Sequence, residues 1–179
     1  MRKLIYFVAV TLDNFICRED GSIDGFAAEG DHIPAFFERL VEFDAILMGR
    51  ETYEFGYRYG MQPGDLAYPQ AGLHNYVFSR SIGPIDSAQL TVVRTDAAEK
   101  VRELKRGVGR SIWLCGGGRL AGALLDAKLI DELWLKVAPV AFGRGRRLFH
   151  ESATPFAADL QAARTFQSGV VFLDYALRY

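Results

Sequence analysis

The sequence predicts an α/β fold in which a mixed, mostly parallel central sheet is flanked by helices and ends in an antiparallel hairpin. Three observations support this prediction. Strand and helix patterns alternate along most of the chain, and the first strand pattern, 4–10, is apolar on both faces, as in a parallel sheet that helices cover. The last two strand patterns, 160–166 and 170–177, are joined across the short turn 167–169, which is typical of a hairpin.

After the first strand, the first half of the chain contains one helix pattern and two further strand patterns. Residues 34–41 place four apolar side chains on one helical face, with Pro34 in a favourable first-turn position. Short apolar runs at 45–48 and 75–78 predict buried strands. The change from helical to strand periodicity within this stretch favours an α/β protein over an all-helical or all-strand one.

The second half of the chain continues the alternation. Thr95 or Asp96 can cap a helix that ends near Arg106, because either side chain can accept a hydrogen bond from the first helical turn. Leucine and valine alternate with other residues in 132–138, which indicates a strand with one apolar face. The other predicted elements of this half are strands at 90–93 and 111–115, a helix at 120–127, and the hairpin.

The composition is that of an ordinary globular protein. The chain has 179 residues, of which 50% are hydrophobic and 24% charged, and we expect one domain over residues 1–179. The net charge of −1 gives no basic field for nucleic acid, and no apolar run reaches the roughly 18 residues of a membrane span. Two cysteines suggest a cytoplasmic location, and three scattered histidines predict no metal site.

The strongest local signal is a run of three glycines between a strand and a helix. Gly116, Gly117 and Gly118 follow the buried strand 111–115 directly. Glycine lets the backbone approach a ligand closely, and a helix N-terminus offers free N–H groups to a pyrophosphate. The run begins too late in the chain to open a Rossmann fold. A tight turn without a ligand is the alternative interpretation.

Two other predicted strand ends carry groups that can bind phosphate. Gly49, Arg50 and Thr52 follow one strand, and Ser79 and Arg80 follow the next. Each has an ordinary alternative: an ion pair and a helix cap in the first case, and a solvated strand end in the second. Because the carboxyl ends of parallel strands share one edge of a sheet, the three turns together predict a site there for a phosphate-rich ligand.

The order and spacing of these motifs resemble the dihydrofolate-reductase-like superfamily. Within it, the chain looks most like the C-terminal reductase domain of riboflavin biosynthesis and its stand-alone relatives. The resemblance runs from the first strand to the last hairpin and implies the three-layer fold of that superfamily. It rests on Thr11-Leu12-Asp13-Asn14-Phe15-Ile16, Gly49-Arg50-Glu51-Thr52, Ser79-Arg80, Gly116 to Leu120, Leu129-Ile130-Asp131-Glu132-Leu133, Pro139, and Gly143 to Phe149.

The resemblance implies an NADPH site. Ala9 and Ile16 would flank the nicotinamide ring. The pyrophosphate region would lie on Gly116, Gly117, Gly118, Arg119 and Leu120, with a cis peptide between the first two glycines. The adenosine side and its 2′-phosphate would be bound by Gly49, Arg50, Thr52, Ser79 and Arg80.

The resemblance says less about the substrate side. Folate reductases carry an acid at the start of the first helix, and the nearest acid here is Asp31, which we take as the candidate proton donor. Asp31 is equally suited to be a helix N-cap without a catalytic role. Phe36 and Phe37 are the candidates for contact with a flat substrate ring. The family glycine in the first motif is replaced by Asn14, which adds bulk beside the nicotinamide.

The resulting expectation is a reductase that transfers a hydride from NADPH to a pterin-like or pyrimidine-like ring. It would be similar to the 5-amino-6-(5-phosphoribosylamino)uracil reductase of riboflavin biosynthesis. Dihydrofolate reduction is one alternative, and a non-catalytic nucleotide-binding or assembly module on the same fold is another. The resemblance also leads us to expect a homodimer, with a small molecule as substrate and neither nucleic acid nor membrane as partner.

Overall fold

The computed structural model describes all 179 residues, and its main feature is one eight-stranded sheet. The strands of this sheet are β1 (Leu4–Thr11), β3 (Phe43–Gly49), β4 (His74–Phe78), β5 (Leu90–Val93), β6 (Ser111–Gly116), β7 (Glu132–Ala138), β9 (Ala157–Thr165) and β10 (Val171–Arg178). Two short strands, β2 (Phe15–Cys17) and β8 (Arg146–Arg147), pair separately. The helices are α1 (His32–Arg39), α2 (Arg50–Glu54), α3 (Ala97–Arg106) and α4 (Gly118–Asp126).

The sheet is mixed and mostly parallel. Its strand order is β5-β4-β3-β6-β1-β7-β10-β9, and the first six of these strands are parallel to one another. The last two form an antiparallel hairpin, and β10 pairs antiparallel with β7. This arrangement confirms the predicted fold class. It also places the carboxyl ends of β3, β4, β5 and β6 side by side along one edge.

Two different apolar clusters cover the two faces of the sheet. On one face, which we call the aromatic face, Phe7, Trp113 and Trp134 pack under Phe36 of α1. On the other, which we call the aliphatic face, leucines and other aliphatic side chains from β1, β3, β6 and β7 pack against α3 and α4. The two clusters contain most of the buried apolar residues, and each fully buried Leu or Phe contributes about 1.5–3 kcal/mol of transfer free energy.

Every predicted helix and strand is present, with ends displaced by a few residues. The cap of α3 is Asp96, whose carboxylate accepts a hydrogen bond of 2.8 Å from the N–H of Glu99. Helix α1 begins two residues before Pro34, and α4 begins at Gly118, two residues before the predicted start. The small sheet of β2 and β8 was not predicted, because strands of two and three residues carry too little periodicity.

No helix in the chain is both long enough and apolar enough to span a lipid bilayer. The longest helix, α3, runs over ten residues and ends in Lys105 and Arg106.

Candidate functional site

The sheet opens between β1 and β6 at the carboxyl edge. Pairing of these two strands stops at Tyr6 and Leu114, whereas β1 stays paired with β7 as far as Thr11 and Ala138. Strand β6 instead continues beside β3, where Gly116 lies opposite Met48. The divergence of β1 and β6 leaves a gap in the ladder over the last residues of β1.

The gap exposes backbone groups of β1. Phe7 is the first residue of β1 after its pairing with β6 ends. Its carbonyl oxygen accepts a 2.8 Å hydrogen bond from the indole N–H of Trp113 and so has a partner. Successive residues of a strand direct their backbone groups to opposite neighbours, so Ala9 directs its N–H and C=O into the same gap. The backbone of Ala9, which the resemblance placed beside the nicotinamide, is therefore open to a polar ligand.

The glycine turn after β6 borders this gap. Gly116 has φ +140°, its peptide bond to Gly117 is cis, and Gly117 is the N-cap residue of α4. A Cβ on Gly117 would lie 3.3 Å from the hydroxyl oxygen of Thr52, and a Cβ on Gly49 would lie 3.7 Å from the Gly117 nitrogen. The structure thus brings Gly49, Thr52, Gly116 and Gly117 together, as the sequence predicted.

The three remaining residues of this motif face elsewhere. A Cβ on Gly118 would collide with the carbonyl oxygen of Arg147, and the N–H of His150 donates to the carbonyl of Gly118 at 3.1 Å. Arg119 is exposed and lies 3.8 Å from the carboxylate of Glu151, while Leu120 packs against the aliphatic face. Gly118 is therefore needed for close packing, although its N–H belongs to the first turn of α4 and is free of intrahelical partners.

Arg50 lies on the same edge of the sheet as the glycine turn. It is the first residue of α2, its side chain is 48% exposed, and its Nε lies 4.0 Å from Glu54. The neighbouring Glu51 forms an ion pair with Arg146 of β8, which ties α2 to the loop before Leu148. The guanidinium of Arg50 is thus held only weakly and can turn towards a ligand.

Ser79 and Arg80 follow β4, whose last residue Phe78 is paired with Gly49. The Ser79 hydroxyl oxygen accepts hydrogen bonds from the N–H groups of Ser81 and Ile82, at 3.2 and 3.0 Å. Arg80 is exposed and makes no hydrogen bond or ion pair. Ser79 therefore shapes this turn, whereas the guanidinium of Arg80 is free at the edge of the sheet.

The turn after β1 contains Asn14, the residue that replaces the family glycine. Asn14 adopts φ 72°, the left-handed conformation in which asparagine is tolerated in place of glycine. The Thr11 hydroxyl accepts a 3.0 Å hydrogen bond from the N–H of Phe15, and Asp13 accepts from the N–H groups of Phe142 and Gly143. Ile16 lies on β2, half-buried against the aliphatic face.

Asp31 is bound to the hairpin turn and not to the gap. Its two carboxylate oxygens accept hydrogen bonds from the N–H groups of Gln167 and Ser168, at 2.8 and 3.2 Å, and these bonds lower the pKa of Asp31. It stands at the N-cap position of α1, but its side chain makes no capping bond. Its position favours a structural role over proton donation, and the catalytic role stays a prediction.

Lys136 is the residue of the site that the sequence reasoning missed. It lies beside Ala9 in the β1–β7 register and beside Phe172 in the β7–β10 register. Its ammonium nitrogen lies 3.8 Å from the ring centre of Phe36 and 5.3 Å from that of Phe7. It makes no hydrogen bond or ion pair with the protein. Burial lowers the pKa of Lys136 to about 8, which the nearby Cys115 thiol partly opposes.

Two other polar side chains lie on the aromatic face near the gap. Burial raises the pKa of the Cys115 thiol to about 12, and the charge of Lys136 opposes this rise. Burial also raises the pKa of Tyr68, whose ring lies 4.9 Å from that of Trp113. Of the two predicted substrate contacts, Phe36 is buried against Lys136, whereas Phe37 is 43% exposed.

Comparison with known proteins identifies the family. The sequence profile described as the RibD C-terminal domain matches residues 2–172. The chain belongs to the RibD C-terminal domain family. A member of similar length is the uncharacterized protein YyaP of Bacillus subtilis, which is 33% identical over 180 residues, covering 97% of this chain and 94% of YyaP.

Solved structures share the RibD C-terminal fold. A Shewanella sp. PV-4 protein provisionally assigned to riboflavin biosynthesis matches with a TM-score of 0.80 and 20% identity, over 99% of both chains. A Thermotoga maritima protein, described as a diaminohydroxyphosphoribosylaminopyrimidine deaminase/5-amino-6-(5-phosphoribosylamino)uracil reductase, matches with a TM-score of 0.70 and 16% identity. That match covers 98% of this chain and 56% of the Thermotoga protein. At these identities the likeness shows the fold alone.

A weak signal for Lys136 is present in its strand. Leu133, Leu135 and Val137 alternate along β7, so Trp134 and Lys136 share the opposite face. A tryptophan two residues before a lysine indicates that this face is not simply solvated. The burial of Lys136 nevertheless depends on α1, which covers this part of the RibD-like sheet from a distant part of the sequence.

Proposed function

We propose that this protein is an NADPH-dependent reductase that transfers a hydride to a small heterocyclic, pyrimidine-like or pterin-like substrate. The observation that carries the proposal is the opening between β1 and β6, which has the free backbone of Ala9 on one side and the glycine turn on the other. Membership of the RibD C-terminal domain family supports it, because the Thermotoga maritima protein that shares this fold is described as a deaminase/reductase.

The residues around the opening fit a dinucleotide. Gly49, Gly116 and Gly117 form a cradle without side chains, in which a Cβ on Gly117 would crowd the Thr52 hydroxyl. The first N–H groups of α4, which has nine residues, point out of the same turn and favour an anionic pyrophosphate. When bound, a reduced nicotinamide dinucleotide supplies the hydride.

The chain itself contributes binding, orientation and the exclusion of water. The N–H and C=O of Ala9 can hold a planar amide, which would fix the face of the ring that meets the substrate. Phe36 and Trp113 form an apolar wall on the aromatic side of the gap. Arg50 and Arg80, both exposed at the carboxyl edge, provide guanidinium groups for a 2′-phosphate.

The experiment that tests the cofactor assignment is a pair of calorimetric titrations, with NADPH and with NADH. Arg80→Ala should weaken NADPH at least about tenfold and should change NADH little, because only NADPH carries the 2′-phosphate. Arg102→Ala is the matched control, since Arg102 is an exposed arginine on α3, away from the carboxyl edge. Equal losses for both cofactors in Arg80→Ala would refute the 2′-phosphate assignment.

Turnover is tested separately from binding. Oxidation of NADPH at 340 nm is followed with a panel of pyrimidines, pterins and dihydrofolate. Saturable NADPH binding together with turnover of one ring class would support the reductase. Binding without any turnover would instead favour a nucleotide-binding module, and no binding of NADPH would overturn the proposal as a whole.

A further inference from the structure

Lys136 occupies an unusual place for a lysine. Its side chain lies on the aromatic face at the β1–β6 opening, next to Ala9 and under the ring of Phe36. Every side-chain nitrogen and oxygen atom that is sealed from solvent has a hydrogen-bond partner in this protein. Because the Lys136 ammonium has none, it is not sealed from solvent. It lies near the Cys115 thiol of β6, the strand that borders the opening on the other side of β1.

The buried lysine of α3 shows what a structural lysine looks like in this chain. Lys105 is 7% exposed, and its ammonium donates to the carbonyl oxygen of Leu129 at 2.9 Å and to the carboxylate of Asp131 at 2.5 Å. The Lys136 ammonium instead lies against the aromatic rings of Phe36 and Phe7, which cannot accept a conventional hydrogen bond. A half-buried cation without an acceptor loses part of its hydration without compensation, and such groups cluster at functional sites.

The charged groups around Lys136 leave the opening cationic. Arg39 of α1 also lies near the Phe7 ring, and both of its terminal nitrogens donate to Asp174 of β10, at 2.8 and 2.9 Å. The carboxylate of Asp31 is bound to the hairpin turn. The Cys115 thiol and the Tyr68 hydroxyl lie on the same face, and burial keeps both neutral. None of these neighbours supplies a free carboxylate to the Lys136 ammonium.

We propose that Lys136 is the residue that selects the substrate, by donating a hydrogen bond to a carbonyl oxygen on the substrate ring. The inference rests on the proposed reductase function and narrows its substrate class. The protein takes heterocycles with a carbonyl at the edge that enters the opening. It rejects rings with a protonated amidine or diamino edge, because such a ring would place a second positive charge against the ammonium.

The test compares two small rings of similar size. Uracil carries two carbonyl oxygens, whereas 2,4-diaminopyrimidine carries two amino groups and is readily protonated. Both are titrated at pH 7 into protein labelled with 15N and 13C-lysine, first without cofactor and then with saturating NADP+. We expect uracil to bind at least about tenfold more tightly than 2,4-diaminopyrimidine. Uracil offers the Lys136 ammonium a carbonyl acceptor, whereas 2,4-diaminopyrimidine places amino donors or a positive charge against it.

The matched variants are Lys136→Met and Lys128→Met. Lys136→Met keeps the length of the side chain without its charge and should abolish the preference for uracil. Lys128 is exposed and its side chain makes no hydrogen bond or ion pair, so Lys128→Met should leave the preference intact. Uracil should also raise the pKa of Lys136, read from its Cε carbon shift, because an acceptor favours the charged ammonium.

Three results would overturn the proposal: equal or tighter binding of 2,4-diaminopyrimidine, unchanged uracil affinity in Lys136→Met, or no binding of uracil with or without NADP+. A purely structural lysine would give the second result and no change of the Lys136 pKa on addition of uracil. Because the first titration contains no cofactor, failure of NADPH to bind would refute the reductase without deciding whether Lys136 selects carbonyl rings.

Discussion

The two faces of the sheet are built by different rules. On the aliphatic face, the backbone of α4 packs directly against the backbone of residues 147–150. Gly118 and Gly122 have no room for a Cβ because the carbonyl oxygens of Arg147 and His150 lie against them. On the aromatic face, large rings pack against one another around polar groups such as Lys136 and Cys115. The first face is close-packed and apolar, whereas the second keeps polar atoms near an opening in the sheet.

This difference separates stability from function. Aliphatic packing is dense and tolerates little added volume, and the buried charge on this side, Lys105, is paired with Asp131. The aromatic face instead carries the ammonium of Lys136 without a hydrogen-bond partner, packed against the ring of Phe36. Substitutions on the aliphatic face should therefore lower the free energy of unfolding. On the aromatic face, Lys136→Met should raise the free energy of unfolding and abolish the selection of ligands.

The largest effect is expected for Gly118→Ala on the aliphatic face. The new Cβ would overlap the carbonyl oxygen of Arg147, which is backbone and cannot rotate away. The clash should outweigh the gain in helix propensity and lower the free energy of unfolding by about 3 kcal/mol in urea denaturation. Gly83→Ala is the control, since a Cβ there would meet nothing within 4 Å. Equal stability of the two variants would contradict the close approach.

Lys136→Met should have the opposite sign. Burial of the ammonium destabilises the fold, so removing the charge should raise the free energy of unfolding at pH 7. We expect about 2 kcal/mol, less than the roughly 3 kcal/mol that the full pKa shift corresponds to, because the side chain is only half-buried. The pKa of Lys136 is about 8 in the folded protein, below the ordinary 10.5, so the unfolded chain binds more protons between these values. The free energy of unfolding of the wild type therefore rises with pH between about 8 and 10.5, and its difference from that of Lys136→Met should shrink. An advantage that grows from pH 8 to pH 10 would contradict the burial.

Trp113→Phe tests the end of the β1–β6 ladder on the aromatic face. The variant removes the indole N–H that satisfies the buried carbonyl of Phe7, and we expect a loss of about 1–2 kcal/mol in urea denaturation. Trp134→Phe is the comparison, because its indole donates to the side chain of Glu132, which can turn to water. If the two variants lose the same free energy, the Phe7 carbonyl has another partner.

The smallest effect is expected for Asp31→Asn, which should change only the pH dependence of the free energy of unfolding. Hydrogen bonds from Gln167 and Ser168 lower the pKa of Asp31 below its ordinary 3.8. Its contribution to stability is present above about pH 4 and is lost as the pH falls through the lower folded value. The Asp31→Asn variant should lack this acid-range dependence and keep nearly unchanged turnover. A loss of 100-fold or more in kcat, on the order expected for a general acid, would restore the catalytic assignment.

Much of the fold and part of the site could be predicted from the sequence. Strand 90–93 and strand 132–138 have the predicted ends, and Asp96 caps α3 as proposed. The convergence of Gly49 and Gly117 was also predictable, because both follow parallel strands and such strands end at a common edge. These features depend on local periodicity, on capping chemistry and on one general rule of sheet geometry.

The roles of site residues were harder to predict where they depend on contacts with residues distant in the sequence. Asp31 stands at the start of a helix in the sequence, and nothing local shows that its carboxylate binds the turn at Gln167 and Ser168, 136 and 137 residues away. Phe36 and Phe37 are adjacent and chemically alike, yet only Phe36 turns towards the sheet. Which side of α1 faces the core is decided by packing, which the sequence pattern describes only in part.

The sequence by itself determined the α/β class, the order of the predicted strands and helices, and the three turns at one edge of the sheet. Each of these depends on residues that are close together in the chain. Tertiary structure alone decided that β1 and β6 separate after Tyr6 and Leu114, and that Lys136 lies under Phe36 without an acceptor. The reason is physical: strand pairing and burial are set by free energies summed over contacts between distant segments, and no local pattern encodes those sums.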